Sequence, residues 1–158
     1  MSDKLSELAV KVIGVVRNEM KEPGIRPNIQ EVVSEIEIFD SYADGLEKLD
    51  EYSHVMLIYW YHLDRRPDPK PMRQHPHNQE KYPMVGIFAL RGSDRPNRIG
   101  TSMAKLLEVG SNRLKISGSD ALDGSPVLDI KPYISRIDSI PGAKESSWQL
   151  EWDRERER

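Results

Sequence analysis

The hydrophobic residues of the chain fall into seven short runs rather than into long helical stripes. Each run is rich in β-branched or aromatic residues and is bounded by turn-forming residues, as is typical of β-strands. The runs lie at residues 10–16, 33–39, 53–62, 84–90, 103–109, 114–117 and 127–133. This pattern predicts a mainly β protein.

The segments between the runs predict turns and one or two short helices. Residues 108–113 have the composition of a hairpin turn, and residues 122–126 that of a tight turn that opens the next strand. Short helices are expected at residues 44–50 and 2–8. We therefore expect short antiparallel strands joined by tight connections.

The C-terminal region shows a further alternation. Trp148, Leu150 and Trp152 alternate with polar residues, which predicts a last strand that closes the sheet or pairs with a second subunit. The charged run at residues 153–158 predicts a frayed end.

The length and composition indicate one domain in a reducing compartment. The 158 residues, 37% of them hydrophobic, suffice for one core, which we place at about residues 9–140 of a single domain spanning residues 1–158. The chain has no cysteine, which excludes disulfides, thiolate zinc sites and thiol nucleophiles and favours the cytoplasm. No stretch approaches the ~20 apolar residues of a membrane span.

The net charge of -3 hides an uneven distribution. Residues 65–98 contain eight basic and three acidic residues, a local charge of +5 that leaves -8 for the rest. Such a basic stretch can meet a polyanion such as RNA. The alternative is a solvated loop, because residues 64–82 contain four prolines and no apolar periodicity.

Polar residues that follow the fourth run have the chemistry of an anion site. Arg91, Arg95 and Arg98 surround a Pro-Asn turn at Asn97, just past an apolar stretch. Guanidinium groups in such a loop can grip a carboxylate or a phosphate with paired donors.

The last predicted strand has a polar face. Asp129, Lys131 and Tyr133 share one side, and Leu128 and Ile130 the other. The polar face is either part of a site or a solvent-exposed ladder with an Asp–Lys pair.

The remaining candidates concern the turn before that strand and the histidines. Asp120 and Asp123 are either site carboxylates or turn formers. His54 and His62, eight residues apart on one strand, would lie about 26 Å apart and cannot bind one metal ion. His75 and His77 could pair in their loop, but no matching carboxylate cluster accompanies them. We therefore expect no metal site, and a metal-dependent hydrolase is disfavoured. The absence of a Gly-x-Gly-x-x-Gly turn argues against a Rossmann-type cofactor site.

Several ordered motifs resemble the TrmO (YaeB/TsaA-like) family over residues 12–138. The motifs are IGVVR at 13–17, GL at 45–46, YSH at 52–54, FALR at 88–91, RPN at 95–97, IG at 99–100 and LDGSPVLDIKPY at 122–133. The resemblance implies a small non-Rossmann β-barrel methyltransferase that works as a homodimer, with its site near the subunit interface. It also implies methyl transfer from S-adenosylmethionine to the exocyclic nitrogen of threonylcarbamoyladenosine, next to the tRNA anticodon.

The resemblance also implies roles for individual residues. The expected cofactor-binding residues are Arg26, Pro27, Asn28, His62, Leu63, Arg91, Thr101, Asp120, Ala121, Leu122 and Asp123. Residues expected to hold the anticodon stem-loop are Arg65, Arg66, Arg73, Arg95, Asn97 and Arg98. The candidate catalytic residues are Asp129, Tyr133 and Asp138 as base and Lys131 as a charge-stabilising group. The alternative function is a nonenzymatic RNA-binding barrel with a nucleotide effector.

Overall fold

The computed structural model describes residues 8–24, 28–64 and 70–156. The chain divides into two compact units. The first is drawn from residues 1–65 and 98–133, and the second from residues 66–97 and 134–158. That all 158 residues form one domain stays a prediction.

The described residues form eight strands and two α-helices. The strands are β1 (Gly14–Arg17), β2 (Val33–Ile38), β3 (His54–Trp60), β4 (Arg73–Gln74), β5 (Val85–Gly86), β6 (Ile99–Val109), β7 (Arg113–Ser117) and β8 (Pro126–Pro132). The α-helices are α1 (Ser135–Asp138) and α2 (Ser147–Arg156). Short 3-10 helices span Ile29–Glu31, Asp40–Leu46, Leu49–Glu51, Pro76–Asn78 and Ile87–Ala89.

The first unit is a closed antiparallel barrel with the strand order β1-β2-β7-β6-β3-β8. The register shifts at two places. One shift lies between Ile58 and Tyr59 in the β3–β8 pair, and the other between Leu106 and Glu108 in the β6–β7 pair. Closure leaves the barrel no open sheet edge. The prediction of a mainly β, small antiparallel barrel with short helices is confirmed.

The barrel core follows from strand alternation. Val55, Leu57 and Tyr59 of β3 are fully buried, while the residues between them are only partly buried. Ile36 of β2 and Ile116 of β7 enter the same cluster. Burying each such side chain contributes about 1.5–3 kcal/mol, which fixes the strand faces and therefore the register.

Strand β6 begins four residues earlier than the apolar pattern predicts. Its inward positions near the start are Gly100, Ser102 and Ala104, all small and all buried. The Tyr59 ring takes the space beside Gly100, where an added Cβ would lie 2.5 Å from the ring carbon Cζ. Small residues are needed there, so the start of the strand lacks the run of large apolar residues that predicts the other strands.

Several predicted elements in the other segments are wrong in type. The expected strand at 84–90 is only the two residues of β5, followed by a 3-10 helix. The helix expected at 44–50 is instead two 3-10 helices, Asp40–Leu46 and Leu49–Glu51. The helix expected at 2–8 falls almost wholly outside the described residues.

The predicted C-terminal strand is wrong, because residues 147–156 form α2. Trp148 and Trp152 are four residues apart and so lie on one helix face, where both are partly buried, whereas Leu150 is exposed. The Ser146 side chain accepts a hydrogen bond from Gln149 N and caps the first turn. The helix also replaces the predicted fraying at residues 153–156.

The second unit is held by the β4–β5 pair and by contacts of α2. Trp152 stacks on His77 with ring centroids 3.7 Å apart, and Lys81 pairs with Glu155 at 2.6 Å. Tyr82, which is buried, donates a hydrogen bond to the same carboxylate. Among the residues that the structure describes, no helix is long and apolar enough to cross a membrane.

Candidate functional site

The predicted cofactor residues of the first unit meet at one end of the barrel. Strands β1, β3 and β7 end there, and β2, β6 and β8 begin there. The segment 118–125, which we call the aspartate loop, connects β7 to β8 at this end. Its two aspartates are held differently.

Asp120 receives two hydroxyl donors on one carboxylate oxygen. Tyr59 Oη donates to Oδ1 at 2.7 Å, and Ser102 Oγ donates to the same atom at 2.6 Å. Burial, together with the negative charge of Asp120, raises the pKa of Tyr59 far above its usual range, so the phenol remains a donor. Asp120 is exposed, and its Oδ2 accepts no hydrogen bond from the described residues.

Asp123 is held on both carboxylate oxygens by the segment after β1. Asn18 N donates to Oδ1 at 3.0 Å, and Lys21 Nζ lies 2.8 Å from Oδ2. The hydrogen bond from Lys21 is the main cause that lowers the pKa of Asp123. Asp123 therefore fixes the aspartate loop and has less capacity to accept from a ligand than Asp120.

His62 packs against the end of the aspartate loop. Its Nδ1 lies 3.2 Å from Ser125 Oγ, and an added Cβ at Gly124 would lie 3.4 Å from its Nε2. Gly124 has a φ of +78°, a conformation that glycine adopts without strain. Burial lowers the pKa of His62 more than the Asp123 charge raises it, which favours the neutral imidazole.

The remaining cofactor candidates divide between the two units. Leu63 directly follows His62, Thr101 precedes Ser102, and Ala121 and Leu122 belong to the aspartate loop. Asn28 occupies the N-cap position of the 3-10 helix Ile29–Glu31, and the Gln30 side chain of that helix lies beside Gly118. Arg91 is exposed in the second unit. Arg26 and Pro27 lie outside the described residues.

The candidate catalytic residues of β8 lie farther along the barrel wall. The strand leaves the aspartate loop at Pro126, so Asp129 and Lys131 lie roughly 10 and 17 Å beyond that point at 3.3 Å per residue. They share one face of β8, as predicted. They pair with Ile58 and Met56 of β3, which alternate with buried core residues, so this face lies on the outside of the barrel. Their side chains form an ion pair at 2.9 Å, and both are about half exposed.

The other two catalytic candidates have structural partners. Tyr133 packs edge-on against His54 with centroids 6.3 Å apart. Asp138, in the second unit, accepts a hydrogen bond from Ile134 N at 2.7 Å and thereby caps α1. The structure does not bring the β8 residues into the cluster around the aspartate loop, so their catalytic roles stay predictions.

A cavity of about 540 Å³ opens at the opposite end of the barrel. Its wall includes Tyr42, Lys48, Tyr52 and Asp129, and the two 3-10 helices of residues 40–51 form one side. The sequence pattern did not predict this cavity.

The predicted anion-binding residues have varied surroundings. Within the second unit, Arg95 donates to Leu90 O at 2.6 Å and lies over the Phe88 ring, which folds the loop on itself. Within the first unit, Arg98 donates to Asp64 O at 3.1 Å. Arg73 and Asn97 are exposed. Arg65 and Arg66 lie outside the described residues.

Comparison with known sequences decides the family. The profile of the tRNA-methyltransferase O N-terminal domain matches residues 16–139. The chain belongs to the TrmO family. The match covers the barrel from Val16 onward, the loop with Arg91, Arg95 and Arg98, and the aspartate loop.

Named relatives of the TrmO family differ in length. An S-adenosyl-L-methionine-binding protein of Archaeoglobus fulgidus is 41% identical over 136 residues, which cover 84% of this chain and 94% of the relative. The tRNA (adenine(37)-N6)-methyltransferase of Escherichia coli is 32% identical over 156 residues, which cover 90% of this chain and 64% of that enzyme. The chain thus spans nearly all of the archaeal relative and less than two thirds of the bacterial one.

Solved TrmO structures have the same fold. A crystal structure of TrmO matches with a TM-score of 0.74 at 32% identity, covering 89% of this chain and 64% of that chain. TrmO from Pseudomonas aeruginosa matches with a TM-score of 0.72 at 30% identity, covering 89% and 62%.

Three residues that organise the candidate site were not predicted from the sequence. Tyr59 has inward parity on its predicted strand, Ser102 lies before the predicted start of β6, and Lys21 lies about 100 residues from its partner Asp123. Within the described ranges, no three His, Asp or Glu side chains are grouped as metal ligands.

Proposed function

We propose that the protein is an S-adenosylmethionine-dependent methyltransferase that acts on the exocyclic N6 of an adenosine in tRNA. Membership of the TrmO family supports the activity, and the names of the archaeal and bacterial relatives support the cofactor and the substrate. One observation in the structure carries the proposal: an exposed carboxylate, Asp120, is fixed on one oxygen and open on the other, at one end of the family-matched barrel.

The chemistry of the site fits a sulfonium nucleoside. A ribose presents hydroxyl donors, which a carboxylate oxygen accepts, and the positive sulfur favours nearby negative charge. Asp120 supplies that charge, because Asp123 is already paired with Lys21, and the lowered pKa of His62 disfavours a positive charge on the imidazole. The residues of the first unit that would hold the cofactor are therefore those of the aspartate loop with His62, joined by Asn28 and Thr101. Arg91, in the second unit, stays a predicted cofactor residue.

The work of the protein in this reaction is mainly positioning. The bound cofactor supplies an electrophilic methyl group, and transfer needs the accepting nitrogen about 3–3.5 Å away and in line. The barrel provides fixed walls for this, because the aspartate loop is tied to β1 through Asn18 and Lys21 and to β3 and β6 through Tyr59 and Ser102. A base removes the nitrogen proton; Asp129, Tyr133 and Asp138 remain candidates, with Lys131 as a charge stabiliser.

The finer substrate assignment is the threonylcarbamoylated adenosine next to the anticodon. The local charge of +5 over residues 65–98 supports contact with stem-loop phosphates, a contribution that is independent of sequence and weakened by salt. Arg73 and Asn97, both exposed, are suited to such contacts. We further propose a homodimer with the site near the subunit interface, acting in the cytoplasm where tRNA is modified.

The test is incubation of the full chain with labelled S-adenosylmethionine and tRNA that contains or lacks the threonylcarbamoyl group, followed by nucleoside mass spectrometry. We expect one methyl group on the N6-modified nucleoside and no product from the unmodified tRNA. Asp120→Asn should reduce incorporation at least tenfold, and Asp50→Asn, on the exposed surface, should leave it unchanged. Product from both tRNAs contradicts the threonylcarbamoyl requirement; tRNA binding without methyl incorporation by the parent contradicts the enzyme and favours the nonenzymatic alternative.

A further inference from the structure

The carboxylate of Asp120 is held by groups that belong to the barrel core. Tyr59 is fully buried and Ser102 nearly so, and both donate to the same oxygen, Oδ1. Ser119 extends the chain of hydroxyls by donating to Ser102 Oγ at 3.3 Å. Among Tyr59, Ser102, Ser119 and Asp120, the exposed residue is Asp120, so its carboxylate is the part of this group that a ligand can reach.

The position of the Tyr59 hydroxyl is fixed by packing. A Cβ added at Gly100 would lie 2.9 Å from the hydroxyl oxygen and closer still to two ring carbons, so glycine alone leaves room for this ring. The terminal torsion of an aspartate is otherwise broad and lets the two oxygens exchange places. The hydroxyls of Tyr59 and Ser102 lie at fixed points, so they select one orientation of the Asp120 carboxylate. In this orientation Oδ2 is left as an acceptor toward solvent.

We propose that Tyr59 and Ser102 are positioning residues, which hold Asp120 so that Oδ2 accepts hydrogen bonds from the ribose hydroxyls of an adenosyl ligand. This inference rests on the proposed function, because it names a contact within the same site. A carboxylate oxygen has more than one lone pair and can accept from the adjacent hydroxyls of a cis-diol. A ligand that lacks one of these hydroxyls therefore makes fewer hydrogen bonds to Oδ2 of Asp120.

The test compares S-adenosylhomocysteine with its 2′-deoxy and 3′-deoxy counterparts by titration calorimetry on the full chain. In the parent protein, loss of the contacting hydroxyl should weaken binding about 10- to 100-fold, as expected for a hydrogen bond to a charged acceptor. In Tyr59→Phe and in Ser102→Ala, this deoxy-to-ribo ratio should fall to less than about one third of the parent value. Tyr42→Phe, the same chemical change at the other end of the barrel, should keep the parent ratio.

The ratio separates positioning from a purely structural role, because general loosening of the fold weakens all three ligands alike. Thermal unfolding identifies a variant that fails to fold, and the other variant then decides. The inference is overturned if the deoxy-to-ribo ratio of the parent is near one, or if this ratio is unchanged in the folded variants. Methyl incorporation would still uphold the proposed function in either case. If the parent binds no S-adenosylhomocysteine and transfers no methyl group, both are refuted.

Discussion

The packing of Tyr59 against Gly100 makes Gly100→Ala a sharp test of the barrel register. The new methyl group would lie 2.5, 2.6 and 2.9 Å from Cζ, Cε2 and Oη of the tyrosine. All three distances are shorter than real Cβ contacts. The ring is fully buried, so it cannot move aside without displacing its neighbours.

The expected cost follows from three contributions. Overpacking a dense core costs about 1–3 kcal/mol. Displacement of the phenol also weakens its hydrogen bond to Asp120, and a bond to a charged group contributes about 1.5–3 kcal/mol when intact. The substitution gains about 0.4–1 kcal/mol by restricting the unfolded chain. If the hydrogen bond is lost, the net effect is a loss of about 1.5–5.6 kcal/mol, which corresponds to roughly 3–20 °C in Tm for a chain of this size.

Thermal and urea unfolding of the full chain measure this loss. The matched control is Gly45→Ala, because no atom lies within 4 Å of the added Cβ and the backbone is compatible with alanine. The control should change the free energy of unfolding by less than about 1 kcal/mol. Equal stability of Gly100→Ala and the parent would refute the inward placement of Tyr59 beside β6.

Three further predictions concern the site. Arg91→Ala should weaken S-adenosylmethionine binding at least tenfold with an unchanged Tm; unchanged calorimetric affinity removes Arg91 from the site. Asp129→Asn should keep cofactor affinity but slow single turnover, and an unaltered rate excludes it as the base. Lys21→Met should destabilise the protein at pH 7 by less than about 1 kcal/mol. Because the pKa of Asp123 is lowered on folding, its stabilisation is fully present above about pH 4 and is lost as the pH falls through the folded pKa, so this difference should shrink as the pH falls below about 4; a pH-independent difference contradicts the Lys21–Asp123 pair.

Much of the barrel could be predicted from the sequence because its strands bury branched residues on one face. Val55 and Leu57 alternate with residues that point outward, and this period of two is visible in the chain itself. The start of β6 could not be predicted in this way, because its inward positions are small residues that make room for a side chain of another strand. The Trp148 and Trp152 pattern fits both a strand and a helix, and the helix has formed.

The geometry of the candidate site depends on the register of the barrel strands more than on any local sequence motif. Asp120 and Asp123 stand three residues apart in one loop, yet their partners come from positions 61 and 105 residues away in the chain. No local pattern distinguishes an aspartate held on one oxygen from one held on two. A slip of β3 by one residue would turn Tyr59 outward, and the donor that fixes Asp120 would be lost. The burial of Val55 and Leu57 therefore does more than stabilise the barrel, because the energy that locks their strand in register also sets the orientation of the exposed carboxylate.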